Sequence, residues 1–256
     1  MSPIRRLFAF VVLACVGLAA EARPLPAEPR HATPTAAVQP LEAFEQRLSR
    51  DPEDLRVCAE YRQLVIAQGS YDRAIKFLGT LTKQPGAGAN AFLNLALAYV
   101  DKVPVSGAIR QAYLGRDAIS ALTRSIAIAP SEVAYFIRGV VNLYYDRFIF
   151  HRTDKGVADL EEAKRLASAH LQVSYVARVF VSLGDGYWRL GQQSKARQIW
   201  QEGMTRFPDV ELLRARVNAG DENLQGIIAH AFDANVRVDT SLRELFPDMP
   251  RLIVER

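Results

Sequence analysis

The chain has 256 residues, 49% of them hydrophobic, and 32 basic against 28 acidic residues give a net charge of +4. So mild an excess is not a nucleic-acid footprint. With two cysteines in the whole chain, no disulfide framework supports the fold, which therefore rests on its apolar core.

The N-terminus reads as an export signal. Arg5 and Arg6 precede an apolar stretch, residues 7–20, and Ala20-Glu21-Ala22 supplies the small residues of a cleavage site, placing the cut after Ala22. The stretch is shorter than the ~20 residues that span a bilayer. The reading is a removed signal peptide, residues 1–22, and a periplasmic or secreted protein, with an uncleaved membrane anchor as the alternative. Val12-Leu13-Ala14-Cys15 loosely resembles a bacterial lipobox, with Leu13 where a small residue is usual, so a membrane-tethered lipoprotein stays open. Export makes nucleic acid an unsuitable partner. Residues 23–40 carry Pro24, Pro26, Pro29, Pro34 and Pro40 and few large apolar groups, which predicts a semi-rigid linker.

From Leu41 onward apolar residues recur at spacings of three and four, and no segment alternates with period two, so the chain is predicted to be all-α. Pro52, Pro85, Pro130, Pro208 and Pro247 fall between the helical segments. The domain is assigned to residues 41–235 and a proline-punctuated tail to residues 236–256. Residues 41–48 form a first helix. A helix carrying Cys58 follows, then a turn at Gln68-Gly69-Ser70 and a helix continued by Leu78 and Leu81. A lone cysteine is most often a small buried hydrophobe, which predicts that Cys58 is an inert thiol. The next pair has its first helix at residues 91–99 and its second at residues 117–129, leaving residues 101–116 as a long inserted turn. A third pair runs from Tyr135 to Ala163. It has another long turn around residues 145–155, aromatic through Tyr144, Tyr145, Phe148 and Phe150. That run is expected to pack over its neighbours, to extend the preceding helix or to meet a partner.

The fourth pair is the most regular. Phe180, Leu183, Gly184, Tyr187, Gly191, Ala196, Trp200 and Pro208 fall in the order W-x2-L-G-x2-Y…A-x3-F…P. Gly184 and Ala196 let two antiparallel helices approach, Leu183, Tyr187 and Trp200 fill the volume around them, Gly191 makes the turn, and Pro208 ends the second helix. Residues 51–208 thus resemble the tetratricopeptide repeat (TPR) family. One departure is Asn142, where an aromatic is expected. The resemblance implies a right-handed α-solenoid of about four helix pairs with capping helices at both ends. Residues 211–219 and 223–234 form two closing helices, and residues 242–246 one helical turn packed back on the stack.

No catalytic constellation emerges. His31, His151, His170 and His230 are scattered, with no H-E-x-x-H, C-x-x-C, P-loop or G-x-S-x-G. The expectation is a non-enzyme without cofactor or metal. The resemblance implies instead a groove lined by the first helix of each pair, taking a protein or peptide. Its candidates are Arg56 and Gln63 in the first pair and Asn90, Leu93 and Leu97 in the second. Phe136, Val140 and Tyr144 follow in the third, and Arg178, Asp185, Trp188 and Arg189 in the fourth. The arginines beside Trp188 would suit a carboxylate next to an aromatic group. The functional expectation is an exported scaffold for a cell-envelope complex. The alternative from another class is a small-molecule binder or enzyme walled by the inserted loops.

Overall fold

The computed structural model describes residues 40–145, 151–167, 173–233 and 239–249. The expected signal peptide with its cut after Ala22, Cys15, the expected linker before Pro40 and residues 146–150 lie outside the described residues. The described chain is helical, with no strand.

Helix α1 (Leu41–Arg50) buries Leu41, Phe44 and Leu48, one stripe at spacings of three and four. Asp54 caps α2 (Leu55–Gln68) by accepting from the Val57 N–H at 2.8 Å, and α2 ends at Gly69, close to where the sequence placed the turn. Helix α3 (Tyr71–Leu81) completes the first pair. Helices α4 (Ala89–Lys102) and α5 (Ala108–Ile128) form the second, α6 (Glu132–Tyr145) and α7 (Thr153–Leu166) the third, and α8 (Val173–Arg189) and α9 (Gln193–Arg206) the fourth. The two helices of the last three pairs pack along each other, and the pairs stack through α3 on α4, α5 on α6 and α7 on α8. Helices α10 (Glu211–Asn218) and α11 (Asp221–Ala231) close the stack.

One expectation about the turns needs correction. Residues 101–116 are not a long loop. After one 3-10 turn at Val103–Val105, α5 begins at Ala108, nine residues before the Asp117 start read from the sequence. Ile109 is 79% exposed, so its turn gives no burial signal, while Leu114 and Gly115 on the same extension are buried. Most of the third turn falls on residues 146–150, outside the described residues; on either side of them α6 is helical to Tyr145 and α7 starts at Thr153. Tyr145 is buried against α5, its hydroxyl accepting from the Arg116 N–H and donating to the Gln111 carbonyl.

Stacking explains the sequence of α4. Leu95 and Ala98 join the core built by α1–α3, while Leu93, Ala96 and Leu97 belong to the larger core running on to the closing helices. A helix buried on both sides reads as an almost unbroken apolar run. In the fourth pair Gly184 lies against the Trp200 indole, and any Cβ there would collide with the ring. Gly191 turns the chain at φ 73°, a conformation that costs glycine little.

The Asn142 departure has a physical reason. Asn142 is buried; its amide donates to Asp159 at 3.1 Å and its carbonyl accepts from Arg152 at 2.9 Å. Arg138 donates twice to the same Asp159, at 2.9 and 2.6 Å. A hydrogen-bonded network thus ties α6 to α7 where the aromatic was expected.

Candidate functional site

The first helices of the pairs, α2, α4, α6 and α8, form the face expected to take a partner. Much of that face is covered by the chain itself. After α11 the chain returns, and residues 239–249, irregular apart from one 3-10 turn at Arg243–Leu245, lie against α2, α4 and α8.

The contact is built around one buried ion pair. Arg62 on α2 donates through Nε to Asp101 on α4 at 2.7 Å, with 1% and 2% of the two side chains exposed. Thr240 closes on both, its carbonyl accepting from Arg62 Nη2 at 2.5 Å and its hydroxyl donating to Asp101. Buried charges persist only when paired and hydrogen-bonded, and here the returning segment supplies part of that satisfaction. Leu242 and Met249 bury their side chains alongside.

Around this centre lie several of the predicted groove residues. Arg56 pairs with Asp248 at 2.8 Å and with Glu60 on its own helix at 3.3 Å. Gln63 accepts from Arg243 at 2.8 Å. Arg178 holds Glu244 at 3.0 Å and the Asp239 carbonyl at 2.5 Å, while its guanidinium stands over the Phe136 ring at 5.4 Å. Phe136 meets Tyr175 edge-on at 5.3 Å. The Arg56 guanidinium holds the Asp248 carboxyl below its ordinary range. Burial pushes Asp239 up, but donors from Ser241 outweigh it and leave that carboxyl low as well.

A second cluster lies where α11 ends. The Tyr144 hydroxyl donates to the Ala231 carbonyl at 3.0 Å, and its ring meets Phe232 edge-on at 5.4 Å. Arg189 stands over the Phe232 ring at 4.9 Å and donates to the Leu143 carbonyl. Trp188 packs at 6.0 Å on Trp200, with Arg197 above its ring at 5.8 Å. Here a recess of about 590 Å³ opens to solvent, lined among others by Trp188, Arg189, Asp221, Glu222 and Gln225. Asp221 is already paired with Arg197.

Five predicted residues have other positions. Leu93 and Leu97 are 1% and 0% exposed and belong to the core, because both faces of α4 are covered. Asn90 works at a helix start: Glu53 accepts from the N–H groups of Gly88, Asn90 and Ala91, and the Asn90 amide answers to the Glu53 carbonyl. Asp185 is 2% exposed and receives Arg216 of α10 twice, at 2.6 and 2.7 Å, so it anchors the closing helices. Val140 is 9% exposed and sits at the core edge.

The sequence reading missed Arg62, Asp101 and Arg216. A signal existed for two of them. Arg62 comes four residues after Cys58 and Asp101 four after Leu97, so each is in phase with a buried position, where an unpaired charge would be too costly.

No family model matches the chain, and no curated protein matches it either. A solved structure does. It is a thermophilic TPR protein of Thermus thermophilus, 21% identical, with a TM-score of 0.52 over 69% of this chain and 86% of that one. The fold is TPR-like. The stacked antiparallel pairs, the Gly184 contact with Trp200 and the turn at Gly191 are its parts in this chain. On this stack Arg56, Arg62, Gln63 and Arg178 share the first-helix face and meet the returning segment. Among the described residues no three His, Cys, Asp or Glu side chains converge on a metal position.

Proposed function

We propose that the protein is an exported TPR-like scaffold that binds a protein partner and helps assemble or stabilise a cell-envelope complex. The observation that carries this reading is the first-helix face itself. Arg62 and Arg178 each donate to a backbone carbonyl of an irregular segment and to a carboxylate, which is how a groove holds a peptide. The export signal at residues 1–22 supports the envelope as the place of action, either free or tethered through Cys15.

The small-molecule alternative loses its main support, since residues 101–116 are helix rather than a wall-forming loop. The deciding experiment is capture of partners from an envelope extract with the full chain, identified by mass spectrometry, beside a chain with Arg56 and Arg178 both changed to alanine. Specific proteins retained by the first and lost from the second support the reading. Equal capture by both, or none by either, counts against it. The mass of the mature N-terminus, free Arg23 or acylated Cys15, decides how the protein is held in the envelope.

A further inference from the structure

We propose that residues 239–249 are a resident ligand of the first-helix groove, and that the partner displaces them with a segment of the same chemistry. That segment is an irregular stretch with Ser or Thr followed four residues later by a carboxylate. The inference rests on the scaffold reading above and adds the partner's recognition element and its competitor.

Two kinds of contact define the chemistry. Arg62 and Arg178 hold the carbonyls of Thr240 and Asp239, contacts that any sequence in this path would offer. The remaining contacts select side chains. Asp101 takes the Thr240 hydroxyl, Arg178 takes the Glu244 carboxylate, Arg56 takes Asp248, and Leu242 is 1% exposed. Thr240, Glu244 and Asp248 thus meet three separate receptors at four-residue intervals.

The resident segment fits incompletely. Arg62 Nη1, the Tyr175 hydroxyl and Glu244 Oε2 are buried without a hydrogen-bonding partner among the described residues. Tyr175 feels the charges of both Arg178 and Glu244, which places it at the same contact. Leu242 takes a left-handed backbone, φ 55° and ψ 20°, a conformation unfavourable for a leucine. What compensates is tethering. A segment joined to the stack acts at an effective concentration of about millimolar, so it holds the groove despite a modest fit. A partner segment that satisfies the unpartnered donors and needs no left-handed residue exchanges with it.

The test uses the full chain and a fluorescent peptide with the sequence of residues 239–249, followed by anisotropy. Glu244→Gln with Asp248→Asn weakens the resident segment and is expected to tighten peptide binding by about tenfold or more, as the open fraction of the groove rises. Adding Arg178→Ala to that chain is expected to reverse the gain. Equal affinity for the unsubstituted and tail-weakened chains, with both melting cooperatively, overturns the proposal. If the tail-weakened chain fails to fold, hydrogen exchange of residues 239–249 in the unsubstituted chain decides. Excess peptide is expected to speed it, and an unchanged rate overturns the proposal. A dimer by light scattering that exchanges these segments between copies also overturns it. Partner capture that the peptide does not compete away sinks this inference and leaves the scaffold reading standing. Peptide exchange with no captured partner sinks the scaffold reading, and with it displacement by a partner, and leaves only the resident segment as a groove ligand.

Discussion

Arg62 and Asp101 form an ion pair between the first helices of two successive repeats, 2.7 Å apart and almost fully out of solvent. Its oxygens and nitrogens are shared with Thr240, nearly 140 residues further along the chain than Asp101. The pair therefore joins three parts of the molecule: α2, α4 and the returning C-terminal segment.

Breaking this pair from one side should be costly. Asp101→Ala leaves Arg62 buried with its charge uncompensated, and the expected loss is ~3–5 kcal/mol. Changing both, Arg62→Met with Asp101→Leu, is expected to cost less than Asp101→Ala alone. Urea unfolding followed by circular dichroism measures both. A single substitution no more damaging than the double one would show that the pair does not anchor the three parts.

Gly184 should not tolerate a side chain. A Cβ at that position collides with the Trp200 indole, and Trp200 is fully buried, so Gly184→Ala is expected to lower stability by about 1–3 kcal/mol. Gly107→Ala makes the comparison, because open space surrounds that position and a shift within about 0.5 kcal/mol is expected. Thermal melts of the two variants beside the unsubstituted chain decide between them.

Cys58 should be chemically silent while the protein is folded. It is completely buried, and burial pushes its thiol up to about 12. Thiolate is the reactive form, so a maleimide at pH 8 is expected to leave Cys58 unmodified in the native protein and to label it in urea. Its raised value also means that stability is full below the ordinary thiol value of about 8.5 and falls as pH rises toward 12. Rapid native labelling would show that the α1–α3 core opens more readily than its packing implies.

Acid should loosen the returning segment before it unfolds the stack. Burial raises Asp239, but its Ser241 donors outweigh that, and Arg56 lowers Asp248, so both carboxyls sit lower docked than released. Depressed carboxyls stabilise docking above their released value of about 4, and that contribution is lost as pH falls through the docked value. Hydrogen exchange of residues 239–249, corrected for the intrinsic rate, is expected to quicken below about pH 4 while the helices remain protected. Simultaneous loss of protection in α4 and α8 would contradict this order.

Much of the stack was legible because local rules set it. The turn at Gly69 and the small-residue contact at Gly184 are written within a few residues of where they act, and the structure has both. Residues 101–116 were misread for a local reason too: Ile109 and Tyr113 face solvent, so the added turns of α5 carry no regular apolar stripe. The groove was legible only in part. Arg56, Gln63 and Arg178 meet the returning segment, whereas Leu93, Leu97 and Asp185 share their helical phase and are buried. Phase around a helix gives direction, and which directions are covered depends on the neighbouring helices.

By itself the sequence determined the helices, their pairing and the repeat, because helical periodicity and turn chemistry act over short distances along the chain. Only the tertiary structure decided that the expected groove is already occupied by residues 239–249 and that Arg62 and Asp101 form its buried centre. Those contacts span 139 and 178 residues of chain, and they depend on how the stacked pairs bring α2, α4 and the C-terminal segment together. No local pattern encodes that distance.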